Sequence, residues 1–140
     1  MTVSLKILAA GPGATVQDHG RDGYLRYGVT AAGPMDRLAH ATANLALGND
    51  AGAAAIEIAL GGIEVAAEGA PLSLAIAGGG FTPVLEGVKL PSCVRLDLAP
   101  GAKLAIRAGT TGAWCYLAVA GRIDLPSFLG SLSTHTRSGL

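Results

Sequence analysis

A mainly β fold, a sandwich or barrel carrying one principal helix, is what this sequence predicts. Three observations lead there. Short apolar stretches alternate with period two and are separated by closely spaced turn signals. Glycine, at 21 of 140 residues, is about twice its usual share, which suits a chain that turns often and brings backbones close together. Only one segment, about residues 34–47, follows a three-to-four period.

The elements follow in order. Residues 2–8 set Val3, Leu5 and Ile7 on one side and Ser4 and Lys6 on the other, the pattern of a half-buried strand. Gly11-Pro12-Gly13 turns the chain, and residues 15–18 form a short extended piece. His19-Gly20-Arg21-Asp22-Gly23-Tyr24 is polar and glycine-punctuated and reads as a loop. The helix opens at Pro34, whose missing N–H costs nothing at a first helical position. Asp36 lies in its first turn, where the helix dipole favours an anion. Leu38, Ala41 or Thr42, Leu45 and Ala46 form the expected buried stripe, and Gly48-Asn49 the stop. Residues 56–60 and 63–65, joined by Gly61-Gly62, read as a hairpin. Further strands are expected at 72–76, 81–85, 94–98, 104–107 and 114–119. Leu74-Ala75-Ile76-Ala77-Gly78 and Leu117-Ala118-Val119-Ala120-Gly121 echo one another, but the spacing is too uneven for a solenoid.

Composition excludes several classes. Half the residues are apolar and 14% are charged, which excludes disorder. Ten basic residues balance ten acidic ones, so nothing points to nucleic acid or an anionic membrane. One tryptophan, three tyrosines and two phenylalanines are too few for a base-stacking platform. Cys93 and Cys115 belong to no CxxC pair and read as buried or half-buried thiols in a reducing compartment. Glu57, Glu64 and Glu68 interrupt the most apolar stretch, and residues 7–10 are too short for an export signal. The chain therefore reads as soluble and cytoplasmic, with no nucleic-acid or membrane partner. Common catalytic signatures fail as well. Val16 stands where a dinucleotide loop needs its third glycine, Gly78-Gly79-Gly80 lacks the Lys-Ser/Thr of a phosphate loop, and there is no Gly-x-Ser-x-Gly elbow. His19, His40 and His135 have no metal-ligand spacing, so no metal is inferred.

What remains is the cluster Gln17, Asp18, His19, Arg21 and Asp22. The planar fork of Arg21 fits a carboxylate or phosphate, with Asp18 orienting it or acting as a base. The competing reading, favoured by composition alone, is a solvated loop in which Asp18 and Arg21 form a turn ion pair. Asp36 is a helix-start residue rather than a catalyst. Asn44 is either an exposed helix residue or shares a face with Arg37 or His40. Glu57 points away from Ile56 and Ile58, and solvent is its expected surrounding; the alternative is a buried carboxylate needing a partner.

At this point the residues resemble a known family. Thr15-Val16-Gln17-Asp18-His19-Gly20-Arg21-Asp22-Gly23 resembles its N-terminal signature, Thr-Val-Gln-Asp, one variable residue, then Gly-Arg-x-Gly. Gly28-Val29, Gly33-Pro34-Met35-Asp36, Ala43-Asn44-Leu45, Gly48-Asn49, Ile56-Glu57 and Gly61-Gly62 follow in the family's order. Tyr116 to Gly121, Ile123-Asp124, Leu129-Gly130-Ser131 and Ser133-Thr134 complete the series. The chain is thus similar to the biotin-dependent carboxyltransferase A/B domain family, also called allophanate hydrolase subunit 2, KipA or the C-type subunit of 5-oxoprolinase. Two positions depart from its pattern. The family's Thr-Gly-Ala-Asp reads Ala77-Gly78-Gly79-Gly80, and its Gly-Ser-Arg-Ser-Thr reads Gly130-Ser131-Leu132-Ser133-Thr134, so an aspartate and an arginine are missing.

The resemblance implies a cyclophilin-like β-barrel, and residues 1–140 are expected to be the N-terminal half of the domain, an incomplete barrel. It implies a component of an ATP-dependent 5-oxoprolinase that opens the lactam of 5-oxoproline to glutamate, with ATP handled by the complex. The alternatives are the carboxyltransferase component of a biotin-dependent urea carboxylase, with biotin on another chain, and a non-catalytic module of a KipI/KipA-type regulatory pair. Implied partners are a KipI-like protein (the B-type subunit of 5-oxoprolinase), an A-type subunit, and a second copy pairing along open strand edges. In this scheme Arg21 grips a substrate carboxylate or phosphate. Gln17 and Asn44 offer amides to a carbonyl or oxyanion, and Asp18 and Glu57 orient groups or act as bases. An arginine in a glycine-rich loop has little core to support, so replacing Arg21 is expected to cost turnover more than stability.

Overall fold

The computed structural model describes residues 2–140. Ten strands and one α-helix follow in chain order: β1 (Ser4–Ala10), β2 (Thr15–Gln17), α1 (Arg37–Ala46), β3 (Ala55–Ile58), β4 (Ile63–Glu68), β5 (Leu72–Ala77), β6 (Thr82–Leu85), β7 (Val88–Lys89), β8 (Val94–Leu98), β9 (Lys103–Arg107) and β10 (Cys115–Val119). The mainly β prediction with one principal helix holds. The strands form two five-stranded antiparallel sheets, ordered β1-β4-β9-β6-β7 and β2-β3-β10-β5-β8. Among the described residues no ladder joins one sheet to the other, so hydrogen bonding does not close them into a barrel. Near β1 the sheets part, leaving an open groove of about 670 Å³ lined in part by Val3, Leu5, Ile7, Val16, Ile56 and Ile123.

The expected hairpin at Gly61-Gly62 does not form. β3 pairs with β2 and β10, while β4 pairs with β1 and β9. The glycines carry the chain from one sheet to the other. A Cβ on Gly61 would lie 2.7 Å from the Cα of Gly11, and a Cβ on Gly11 would lie 2.4 Å from Gly61. Two backbones therefore touch at this crossing, and only residues without side chains fit. β7, two exposed residues, carries no pattern that marks it as a strand in the sequence.

Period-two alternation decides the packing. On one face of the second sheet, Ile58, Leu74, Ile76 and Leu117 are buried against Val65, Leu104 and Ile106 of the first sheet, with Leu98 alongside. Fully burying such a side chain stabilises by about 1.5–3 kcal/mol. On the other face stand Ala55, Ala75, Ala77, Ala118 and Tyr116, and α1 packs there through Ala39 and Ala43. The sequence echo thus has a packing reason: its large residues fill the inter-sheet core and its alanines make room for the helix.

This corrects the expected helix stripe. Leu38 and Leu45 are 79% and 60% exposed, and the buried positions are Ala39, His40, Ala43 and Asn44. Small residues let α1 lie close to the sheet; a Cβ on Gly78 would be only 3.0 Å from the Ala39 methyl. The helix is also shorter than expected, because Asp36 is its N-cap, its carboxylate accepting from Ala39 N–H at 3.0 Å. Of the cysteines, Cys115 is buried and its thiol pushed up to about 12 by burial, whereas Cys93 lies exposed, not buried or half-buried as expected. Among the described residues no helix is long and apolar enough to cross a membrane.

The packing fixes a ranking. Ala43→Leu should destabilise the fold by about 1–3 kcal/mol through overpacking, and Leu38→Ala should change it by about 0.5 kcal/mol or less. Urea unfolding of the two variants checks this; the reverse order would mean that the helix seats its leucines inward.

Candidate functional site

Of the polar residues singled out in the sequence, Gln17, Asp18, Arg21, Asn44 and Glu57 are buried, whereas His19, Asp22 and Asp36 are exposed. Glu57, in β3, is buried beneath the start of α1. Its Oε2 accepts from the Tyr116 hydroxyl at 2.7 Å and from Met35 N–H at 2.8 Å. The same hydroxyl accepts from Asp36 N–H at 2.8 Å. Burial is the main cause pushing the Tyr116 phenol above its ordinary value, with the adjoining Glu57 adding to it. Glu57 is therefore the buried carboxylate with partners, not the solvent-facing residue favoured from the sequence. Alternation correctly turned it away from Ile56 and Ile58, but could not reveal that a helix covers that face.

Asn44, expected on an exposed helix surface, is fully buried. Its Nδ2 donates to Ala53 carbonyl at 2.8 Å, and its Oδ1 accepts from Asn49 Nδ2. Asn49 in turn donates to Val119 carbonyl and accepts from Gly121 N–H. Two amides thus tie α1 to the chain leaving β10. Gln17 is used as completely: Nε2 donates to Thr15 Oγ1 and Thr134 carbonyl, and Oε1 accepts from Gly33 N–H. His40 Nε2 donates to Gln17 carbonyl at 2.8 Å, and its ring meets Tyr116 edge-on.

Asp18 and Arg21 are not a solvated ion pair. Asp18 accepts from Ser131 and Ser133 hydroxyls and from Leu132 and Gly20 N–H groups. Burial is the largest single influence and works against the carboxylate, but these bonds together outweigh it and hold Asp18 below its ordinary value. Arg21 is 3% exposed. It donates through Nε to Phe128 carbonyl and through Nη2 to Ser133 and Ser131 carbonyls, the shortest at 2.6 Å. Its Nη1 has no partner among the described residues. The two residues face different groups of one segment, residues 128–134, and clasp it alongside β2, where Thr134 N–H also donates to Val16 carbonyl. Arg21 therefore supports a good deal of structure, contrary to the expectation from its glycine-rich loop.

Outside this frame lies an open polar cleft of about 500 Å³. Asp18 and His19 line it from the segment after β2, Asn49 and Asp50 from the connection between α1 and β3, and Arg122 and Asp124 from the chain after β10. Of the five residues proposed from sequence, only Asp18 lines this cleft; Gln17, Arg21, Asn44 and Glu57 do not. Arg122 is exposed and forms no ion pair among the described residues, which leaves one full positive charge open to the cleft. Asn49, Ser131 and Ser133 carry much of the arrangement, and the sequence held only Gly48-Asn49 and the Ser131 to Thr134 motif as signals for them. No group of described residues has the donor set to hold a metal ion.

Residues 27–140 match the family model described as carboxyltransferase domain, subdomain A and B. Over 97% of its length the chain is 40% identical to the C-type subunit of 5-oxoprolinase from Escherichia coli (strain K12), covering 44% of that protein. It is 37% identical to the urea amidolyase of Saccharomyces cerevisiae over 95% of its length, covering 7% of that protein. Among solved structures, TTHA0988 superposes with a TM-score of 0.91 at 34% identity, over 97% of this chain and 51% of that one. The K. lactis urea amidolyase gives 0.87 at 34% identity, over 93% and 8%. The chain belongs to the carboxyltransferase A/B domain family. It spans less than half the length of each of these curated relatives.

Two outcomes test the clasp. Asp18→Asn should lose about 1.5–3 kcal/mol of stability at neutral pH, since hydrogen bonds to a charged acceptor are replaced. Because the folded form holds Asp18 below the ordinary value of 3.8, its stabilisation is present above that pH and is lost as the pH falls through the folded value. The gap between wild type and variant should therefore close in acid, as followed by thermal unfolding against pH. Arg21→Ala should speed amide exchange at residues 128–134 by about tenfold or more, the equivalent of about 1.4 kcal/mol; exchange unchanged there would show that the segment is held by other contacts.

Proposed function

We propose that this chain is a component of an ATP-dependent 5-oxoprolinase, which hydrolyses the lactam of 5-oxoproline to glutamate together with a KipI-like, B-type partner and an A-type partner. The observation that carries this reading is the 40% identity to a 5-oxoprolinase C-type subunit across 97% of the chain. The cleft chemistry is compatible with it. Lactam opening needs the substrate held, a water placed and an oxyanion stabilised. Arg122 is the cation available in the cleft for a substrate carboxylate. The clasped segment and the amides of Asn44 and Asn49 hold the walls, and Asp18 stays ionised at the rim. ATP is supplied to the assembly rather than to a nucleotide loop of this chain, whose glycine runs lack the required Lys-Ser/Thr.

The second reading is carboxyl transfer in a biotin-dependent urea carboxylase, supported by the 37% identity to a urea amidolyase. These 140 residues hold no Met-Lys biotinylation motif, so in this reading biotin reaches the cleft from outside them.

The test is reconstitution with the B-type and A-type partners. Glutamate should form from 5-oxoproline only with ATP present, and Arg122→Ala should raise KM about tenfold or more, a charge-assisted hydrogen bond being worth about 1.5–3 kcal/mol. Carboxylation of urea with a biotinylated partner, and no lactam turnover, would favour the second reading. Stable binding of the B-type partner with neither reaction would return the chain to a non-catalytic role in a KipI/KipA-type pair.

A further inference from the structure

His19 is the one histidine that lines the polar cleft, and it is not a free surface side chain. Its backbone N–H donates to Gly52 carbonyl at 3.1 Å. Its Cβ sits against Gly52, where an added methyl would come within 3.1 Å. The side chain is 60% exposed, yet Nδ1 stands 4.0 Å from Asp18 Oδ2. That carboxylate is immobilised by the Ser131, Ser133, Leu132 and Gly20 donors. A fixed carboxylate behind one ring nitrogen and an open cleft around the ring is the layout of an oriented proton-transfer group. The separation is longer than a hydrogen bond, and such contacts commonly tighten only when substrate is bound.

We propose that His19 is a proton-transfer residue of this cleft and that Asp18 is its positioning residue. The inference rests on the lactam-hydrolase reading above. Asp18 holds the proton of the neutral ring on Nδ1 and leaves Nε2 as the base. As the oxygen of a water bonds to the lactam carbonyl carbon, one water proton passes to Nε2; as the carbon–nitrogen bond breaks, that proton passes to the departing ring nitrogen of the lactam. The other charged groups around the cleft are Asp50 from the α1–β3 connection and Arg122 and Asp124 after β10.

The experiment has two arms. In the assembly with its partner subunits, His19→Ala and His19→Gln should each lower kcat about a hundredfold with KM little changed, and added imidazole should restore part of the loss in His19→Ala. Undiminished kcat in either folded variant would overturn the proposal, as would a loss traced to failure of both variants to fold. The second arm is nitrogen NMR of the His19 ring in the same wild-type assembly. The neutral ring should be protonated on Nδ1, and in Asp18→Asn the proton should move to Nε2 while kcat falls and KM does not. A wild-type ring protonated on Nε2 would overturn the positioning role without recourse to any variant. If the wild-type assembly turned over no lactam, the functional reading would fail by itself, and the ring's protonation would still decide whether Asp18 orients His19.

Discussion

The second sheet must be covered on both faces, and most of the molecule follows from that constraint. Facing the first sheet, its strands fill a core with leucine and isoleucine. Facing α1, they present alanine, because a helix can come close only over small residues. The chain entering α1 aims the N–H groups of Met35 and Asp36 at this face, and Glu57 and Tyr116 accept from them. A buried carboxylate under a helix N-terminus is then part of the packing solution, favoured both by these bonds and by the helix dipole.

The same logic organises the edge. β2 is only three residues long and would be a weak boundary by itself. Residues 128–134 lie against it, held by an acid that gathers donors and a guanidinium that gathers carbonyls. Neither charge relies on an opposite charge within the frame. Each is instead satisfied by neutral dipoles, without a tightly coupled ion pair and its desolvation cost. The consequence for function is geometric. The polar cleft is built from three separate stretches of chain, and each is fixed by this buried network: Asp18 anchors the first, Asn44 and Asn49 join the second to the third. Polar residues that look catalytic when read along the chain are thereby engaged in holding the walls of a site, a division of labour common where a reactive group must be held to within a fraction of an ångström.

Much of this was legible in the sequence. Alternation located β3 to β6 and β8 to β10 to within a few residues, because the two faces of a strand meet different surroundings, large residues filling the inter-sheet core and alanines or polar residues standing opposite. The helix was legible for the same reason, and Asp36 marked its start. The motif series from Thr15 to Thr134 placed the chain in its family, and the cluster around Asp18 and Arg21 drew the eye to the right region. What a sequence cannot carry is which of two faces another element will cover. Leucine at 38 and 45 and alanine at 39 and 43 give two competing stripes, and only the distance between α1 and the sheet chose the alanines. Glu57 and Asn44 read as solvent-facing because polarity predicts exposure until a specific donor or acceptor is brought to it. Gly61-Gly62 announced a turn but not whether the next strand would pair or cross over, since the close approach to Gly11 joins residues about fifty apart. The sequence by itself determined every strand but β7, the helix and the family; tertiary structure decided the faces, the crossing between sheets and the cleft, because those depend on pairing between distant segments that no local pattern encodes.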